Sequence, residues 1–363
     1  GSDLDLEFAA GSSVNVSTTG TGAIDLDGLG ALTLSDVDTV NGAITASSAG
    51  ALTVTDVASG TNGNIVLSTS SGDITGLATV NAGSGNVTLN SAGAIVDDGS
   101  SGTVITGGVL TADAAGAITI DSTVTSANIS TSAAGAVDLD ESDAITLTDV
   151  DTNDGSITVD AGGLITATDV VASGGSGDSV TLSTTTGGAV ATLVTGADAV
   201  SITANAGDIT IGSVTATLGT LGVTATAGSI NDAADDNTAD FTAGGLISLT
   251  AQDEIGVLGS GSDLDLEFAA GSSVNVSTTG TGSADIDGLG AINLGALSIA
   301  QNLEVSSVGA ITDSGVITVA GTTTFDTSAG NNAAIDLDSA STYTGNVTFT
   351  TDAGSDVTIT DNS

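Results

Sequence analysis

The stretch GSDLDLEFAAGSSVNVSTTGTG fills residues 1–22 and returns unchanged at residues 261–282. The likeness continues more loosely, since AIDLDGLGALTL after the first copy is answered by SADIDGLGAINL after the second. The duplicated unit therefore spans residues 1–260, and the chain ends at Ser363, partway through a second copy. A chain built this way is a repeat protein, and the smaller period inside the large one decides its fold.

That smaller period is visible as a recurring phrase, a glycine followed by alternating aliphatic and polar residues. It appears as GAIDL from Gly22, GALTL from Gly30, GAITA from Gly42, GALTV from Gly50, GNIVL from Gly63, GDIT from Gly72, GNVTL from Gly85 and GAIV from Gly93. Short and long intervals between these glycines alternate, short from Gly22 to Gly30, long from Gly30 to Gly42, and so on to Gly93. Alternation of side chains at period two is the signal of a half-buried strand. Two strands per unit are expected, with units beginning at Gly22, Gly42, Gly63 and Gly85. About twelve units of roughly 20 to 22 residues fill the long period. One longer interval, from Leu139 to Asp154, contains an extra AITLT and is expected to be a coil with an inserted loop.

Helices are excluded as the building block by the β-branched bias, the frequent glycines and the lack of a 3.6-residue apolar period. A propeller blade needs about 40 residues, and a sandwich has no reason for so short and regular a beat. The pattern predicts an all-β fold, a parallel β-helix or β-solenoid with one coil per beat. One continuous solenoid is expected over residues 1–363, with residues 1–260 as the first long copy and 261–363 as a partial second. At a strand spacing of about 4.8 Å, some seventeen coils would make a rod of about 80 Å. Equivalent residues then stack, so inward Ile, Val and Leu form columns.

Composition agrees. There is no Lys, Arg, His, Pro, Cys, Met or Trp, and aromatic residues supply only 2% of the chain. Small aliphatic side chains must fill the interior, which suits a narrow, regular one. Disorder is disfavoured because 40% of residues are hydrophobic. The 44 acidic residues meet no basic side chain, so neutralisation must come from solvent cations. Nucleic acid and anionic membrane surfaces are disfavoured as partners, since both need basic patches. No apolar run approaches the roughly 18 residues of a membrane span. A start at Gly, with no signal peptide, is expected of a mature or excised segment.

The acids are chiefly Asp, with Glu only at positions 7, 141, 254, 267 and 304. Short carboxylates suit turns and calcium coordination. TLSDVDTVNG places Asp36 and Asp38 just after a strand, and TVTDVASG places Asp56 one coil further on. TLTDVDTNDG likewise sets Asp149, Asp151 and Asp154 beside Asp169 of TATDV. Carboxylates on adjacent coils would lie about 5 Å apart and repel unless a cation joined them. Asp36, Asp38, Asp56, Asp149, Asp151 and Asp169 are therefore candidate calcium ligands, and calcium is the one cofactor expected. The competing reading is a set of turn aspartates bonded to local amides.

Catalysis is not expected. Asp97 with Asp98, and Asp235 with Asp236, are acid pairs of the sort used in glycoside hydrolysis, but no Arg, Lys, His or Trp is present to hold a sugar. Without His or Cys, nucleophilic triads cannot form. Thr-x-Thr pairs at Thr123 and Thr125, Thr215 and Thr217, and Thr224 and Thr226 suggest a flat ice- or carbohydrate-binding face. They do not recur at one place in each coil. Asn15, Asn86, Asn128, Asn275 and Asn346 head Asn-x-Ser/Thr triplets.

The phrases GALTVTDV from Gly50, GAITID from Gly116, GLITATDV from Gly163 and GDITIGSV from Gly207 resemble those of filamentous-haemagglutinin-type adhesins and giant bacterial β-strand-repeat surface proteins. The resemblance implies a right-handed parallel β-helix at or beyond a bacterial surface. The expected role is an acidic, calcium-stabilised extracellular filament or adhesin stalk. Expected partners are further copies, joined end to end or within a longer repeat chain, with surface polysaccharide as a second candidate. The alternative is a carbohydrate- or ice-binding solenoid module.

Overall fold

The computed structural model describes residues 4–100, 102, 104–234, 236–259, 262–330 and 332–361, so Asp235 lies outside the described residues. The chain packs as two compact units, Gly1–Asp178 and Ser179–Ser363. Each is a parallel β-solenoid with coils of about 21 residues, and no helix occurs among the described residues.

In the first unit one column runs through the register Ile24, Ile44, Ile65, Val87, Leu110 and Ala127. In the second, Val180, Val200, Leu221, Ile247, Val274 and Leu294 form a column, and its coils from Leu221 to Ile247 and from Ile247 to Val274 are wider than the rest. Inward positions are almost wholly Ile, Val, Leu and Ala, as in Ile24, Leu26, Ile44, Ala46, Ile65 and Leu67, all at most 1% exposed. Like stacks on like, so side chains of matching shape fill each level without voids. Buried aromatics are few, and near the end of the second unit Phe325 stacks on Phe349 with ring centroids 5.7 Å apart and meets Tyr343 edge-on at 6.2 Å.

Some coils have the two strands that the sequence suggested, such as Ile24–Gly28 with Leu32–Thr39, and others split the second strand in two and so have three. Residues 44–58 supply Ile44–Ser48, Leu52–Val54 and Asp56–Ala58 in succession. The third strand escapes a glycine count because no glycine precedes it. Its corner is made by two outward residues in a row, Thr55 and Asp56, between inward Val54 and Val57. The same corner occurs at Ser35–Asp36, Thr148–Asp149 and Thr168–Asp169. The interval from Leu139 to Asp154 holds no inserted loop. Its strands Val137–Glu141 and Ile145–Asp154 pair with the next coil in ordinary register, Val137 with Ile157 and Ile145 with Ile165. Its extra AITLT is simply the strand leading to such a corner.

Other corners are closed by buried hydroxyls. Thr39 donates to the Gly42 carbonyl at 2.6 Å, Thr131 to Gly135 at 3.0 Å and Thr278 to Gly282 at 3.0 Å. Each gives a turn carbonyl a side-chain donor, which at Gly282 adds to the Gln301 amide at 3.1 Å. The glycines that mark the beat are required by close approach. A Cβ on Gly42 would strike the carbonyl of Gly22, one on Gly63 that of Gly42, and one on Gly85 that of Gly63.

This stacking gives a direct test. Gly63→Ala should force neighbouring coils apart and lower stability by about 1–3 kcal/mol in denaturant unfolding. Gly222→Ala, whose new methyl would meet nothing within 4 Å, should be neutral or stabilising by up to about 1 kcal/mol.

Candidate metal centre

Because successive coils are in register, outward acids also stack. The corner residues named from the sequence do so in two groups. Val37 pairs with Val57, which sets Asp36 beside Asp56, and Asp36 accepts a hydrogen bond from the Asn15 side chain at 3.0 Å. Val150 pairs with Val170, which sets Asp149 beside Asp169, and the Asn128 amide lies 3.5 Å from Asp149. Burial raises the Asp38 carboxyl, helped by Asp36 and Asp56, and burial with the Asp36 charge raises Asp56. Burial, with Asp149 and Asp169, pushes Asp151 up to about 6. Asp169 Oδ1 is buried and has no hydrogen-bond partner among the described residues. Asp154 pairs with Ala134 and is not part of the group.

A further ladder, not singled out from the sequence, places Asp121, Asp140 and Asp160 on three successive coils. Burial is the first cause that raises Asp121, followed by the charges of Asp97 and Asp140. Asp140 is raised by burial, then by Asp138 and Asp160. Glu141 takes an inward position and is 3% exposed. Its carboxylate accepts hydrogen bonds from the Ser122 hydroxyl at 2.7 Å and the Val124 amide at 3.0 Å.

Three of the acids considered for hydrolysis, Asp97, Asp98 and Asp236, form turns. Asp97 accepts from the Gly99 amide, Asp98 from the Ser100 amide, and Asp236 from the amide and hydroxyl of Thr238. Hydrogen bonds from the hydroxyl and then the amide of Ser100 hold Asp98 below the ordinary carboxylate range, and those from the hydroxyl and amide of Thr238 do the same for Asp236.

The densest acidic group lies where the long repeat restarts. In the first copy, Leu4–Phe8 pairs with Ile24–Gly28, with Leu4 opposite Ile24, Asp5 opposite Asp25 and Glu7 opposite Asp27. In the second, Leu264 pairs with Ile286 and Asp265 with Asp287. The position equivalent to Ile24 is Ala284, and it is occupied instead by a bridge from Ile255. The same strand has therefore slipped by two positions. The widened coils, from Leu221 to Ile247 and from Ile247 to Val274, supply the extra chain. The segment around Ile255 is held by the amide of Asp285 donating to the Ile255 carbonyl at 2.8 Å. Gly256 has a φ of +67°, and a Cβ there would strike the Asp285 carbonyl.

The slip changes the burial of the acids. Asp25 and Asp27 are exposed, whereas Asp265 is 2% and Asp285 4% exposed. Asp240, also 4% exposed, accepts from the Asp265 amide at 2.9 Å. Asp263 immediately precedes the strand Leu264–Phe268 that carries Asp265, and Asp287 lies opposite Asp265 on the next strand. A carboxylate oxygen from each of the three lies within 4.8 Å of the others. Asp265 Oδ1 has no hydrogen-bond partner among the described residues. Burial pushes Asp265 up to about 6, with help from Asp263, Asp232 and Asp236. It pushes Asp285 up to about 7, with Glu304 the next cause, and the Gly259 amide opposes the shift. Burial also raises Asp287, assisted by Asp263. A shallow cleft lined by Asn237, Asp265, Asp287, Ser306 and Asp326 leads to the group.

The fold and these stacked acids define a β-solenoid repeat protein with an acidic surface. Residues 281–350 match a family described as "Repeats of unknown function (DUF5649)". That segment contains Asp285, Asp287 and Glu304, but not Asp263 or Asp265. No curated protein and no solved structure matched the chain.

The ladder in the first unit sets a pH dependence. A carboxyl raised in the folded state holds its proton more tightly there than in the unfolded chain. Its contribution is present below the ordinary value of 3.8 and is lost as pH rises through the folded value. Asp121→Asn and Asp140→Asn should therefore be more stable than the parent at pH 8, by up to about 1 kcal/mol because these groups are partly screened by solvent. The advantage should vanish below pH 3.8 and shrink in about 1 M salt. Melting curves at the two pH values check it.

Proposed function

We propose that this chain is a segment of a bacterial extracellular stalk or filament of the filamentous-haemagglutinin-like kind, built to span distance. The observation that carries this reading is the in-register stacking maintained within each unit over a core of small aliphatic residues. Coils bound to both neighbours by parallel backbone hydrogen bonds resist bending and local opening. A chain with 44 acids, most of them outward, and no base repels its own kind laterally, which favours separate rods over aggregated sheets. The resemblance of the repeated phrases to bacterial surface adhesins supports an extracellular setting. Further copies, whether covalent or associated, are the natural partners of such a segment.

Negative-stain electron microscopy of the purified chain should show uniform narrow rods or longer fibres. These should withstand elastase and thermolysin at temperatures where globular domains of similar length are cut. Compact particles with no long axis, or rapid digestion to small peptides, would overturn the stalk reading.

One observation favours carbohydrate binding as a second reading. In the second unit Ser183, Thr203, Thr224, Thr250 and Ser277 form an outward row on consecutive coils, with hydroxyls repeating at the strand spacing. Thr215 belongs to a different column and pairs with Thr242, so the Thr-x-Thr pairs do not share one plane. If the row binds polysaccharide, a glycan array should give a saturable ligand whose binding is lost in Thr224→Asp.

A further inference from the structure

We infer that Asp263, Asp265 and Asp287 form a calcium-class divalent-cation site that fastens the slipped strand Leu264–Phe268 of the second repeat copy to the strand Ala284–Gly288 of the next coil. This inference stands independently of the stalk reading, because it follows from one cluster and not from the assembly.

The geometry suits one hard cation. Calcium binds oxygen at about 2.3–2.6 Å, so two ligand oxygens on one ion can be up to about 5 Å apart. The three carboxylates meet that limit, each offering an oxygen within 4.8 Å of the others. Their backbone placement explains why. Asp263 sits two residues before Asp265 at the start of its strand, and the register puts Asp287 directly across from Asp265.

Asp265 provides an independent sign of a ligand. It is 2% exposed, yet Oδ1 has no hydrogen-bond partner among the described residues. Its backbone is fully engaged, with its amide donating to Asp240 at 2.9 Å and its carbonyl accepting from the Asp240 amide at 3.0 Å. A buried carboxylate oxygen left this way is costly unless something pairs with it. Across the whole chain there is no Lys, Arg or His to do so. The Ser306 hydroxyl reaches Asp287, and the Gly259 amide reaches Asp285 at 3.2 Å, but neither serves Asp265 Oδ1.

Donor chemistry narrows the ion. The site offers only oxygen, and no His or Cys exists anywhere in the chain, which argues against zinc, copper and nickel. Magnesium demands near-octahedral geometry and gives up its water reluctantly, whereas calcium tolerates irregular carboxylate cages. The first copy provides an internal contrast. There the unslipped register sets Glu7 opposite Asp27 at exposed positions, so the same sequence is not expected to bind with comparable strength.

The test uses the full chain freed of metal by chelation. Calcium titrated up to about 1 mM, within the range of extracellular calcium modules, should raise the melting temperature and give a saturable heat in calorimetry. Asp265→Asn and Asp287→Asn should each lose that heat and most of the rise, whereas Asp36→Asn and Asp149→Asn keep both. In chelator the two site variants should melt at or above the parent, because each removes a crowded charge. In calcium they should melt below it. This crossing distinguishes a lost cation site from simple misfolding. No calcium response in the parent, or a response unchanged in both site variants, would overturn the site. An equal response to magnesium at the same concentration would overturn the calcium assignment.

Discussion

Parallel hydrogen bonding between one coil and the next is the interaction on which everything else in this protein depends. It sets neighbouring backbones about 4.8 Å apart and brings equivalent residues face to face over many levels. Inward, that alignment lets Ile24, Ile44 and Ile65 build a column, and it forces glycine at Gly42, Gly63 and Gly85, where backbones approach too closely for a Cβ. Outward, it does the same for charge. An aspartate recurring once per coil becomes a ladder of aspartates, with no distance over which to dilute the repulsion.

The absence of basic side chains turns that alignment into a chemical constraint. In most proteins a buried or crowded carboxylate is offset by Arg, Lys or His. Here other remedies take their place. Asp98 and Asp236 take backbone amides in turns, Glu141 takes a serine hydroxyl and an amide, and Asp36 takes an asparagine side chain. Asp121 and Asp140 stay near solvent and hold their protons more tightly. At Asp265, as at Asp169, a buried carboxylate oxygen finds no donor among the described residues, and with Asp263 and Asp287 beside it the Asp265 cluster is where a cation fits the chemistry best.

Much of this was legible in the sequence. The beat of glycines located Gly22, Gly42, Gly63 and Gly85, and alternation identified the inward aliphatics. The recurrence of SDV and TDV put Asp36 next to Asp56 and Asp149 next to Asp169. The third strand of coils such as residues 44–58 was not legible, because its corner uses two outward residues and no glycine, as at Thr55 and Asp56. The ladder Asp121, Asp140 and Asp160 was missed for a related reason. Its members sit in differently worded phrases and align only once the pairing of coil with coil is known. The AITLT segment before Asp149 misled in the opposite direction, since a regular strand read as an insertion.

What the sequence alone determined was the architecture: the period, the direction each side chain faces, an aliphatic interior and an exterior that solvent cations must neutralise. Local alternation and glycine spacing are enough to specify those. What only the tertiary structure decided was the register at which identical words are paired. Residues 261–282 repeat residues 1–22 letter for letter, yet Asp265 meets Asp287 where Asp5 meets Asp25. A slip of two positions leaves every side chain on its original face, so the hydrophobic pattern is indifferent to it. The choice falls to a distant neighbour, Ile255, which occupies the place opposite Ala284 and moves three carboxylates together.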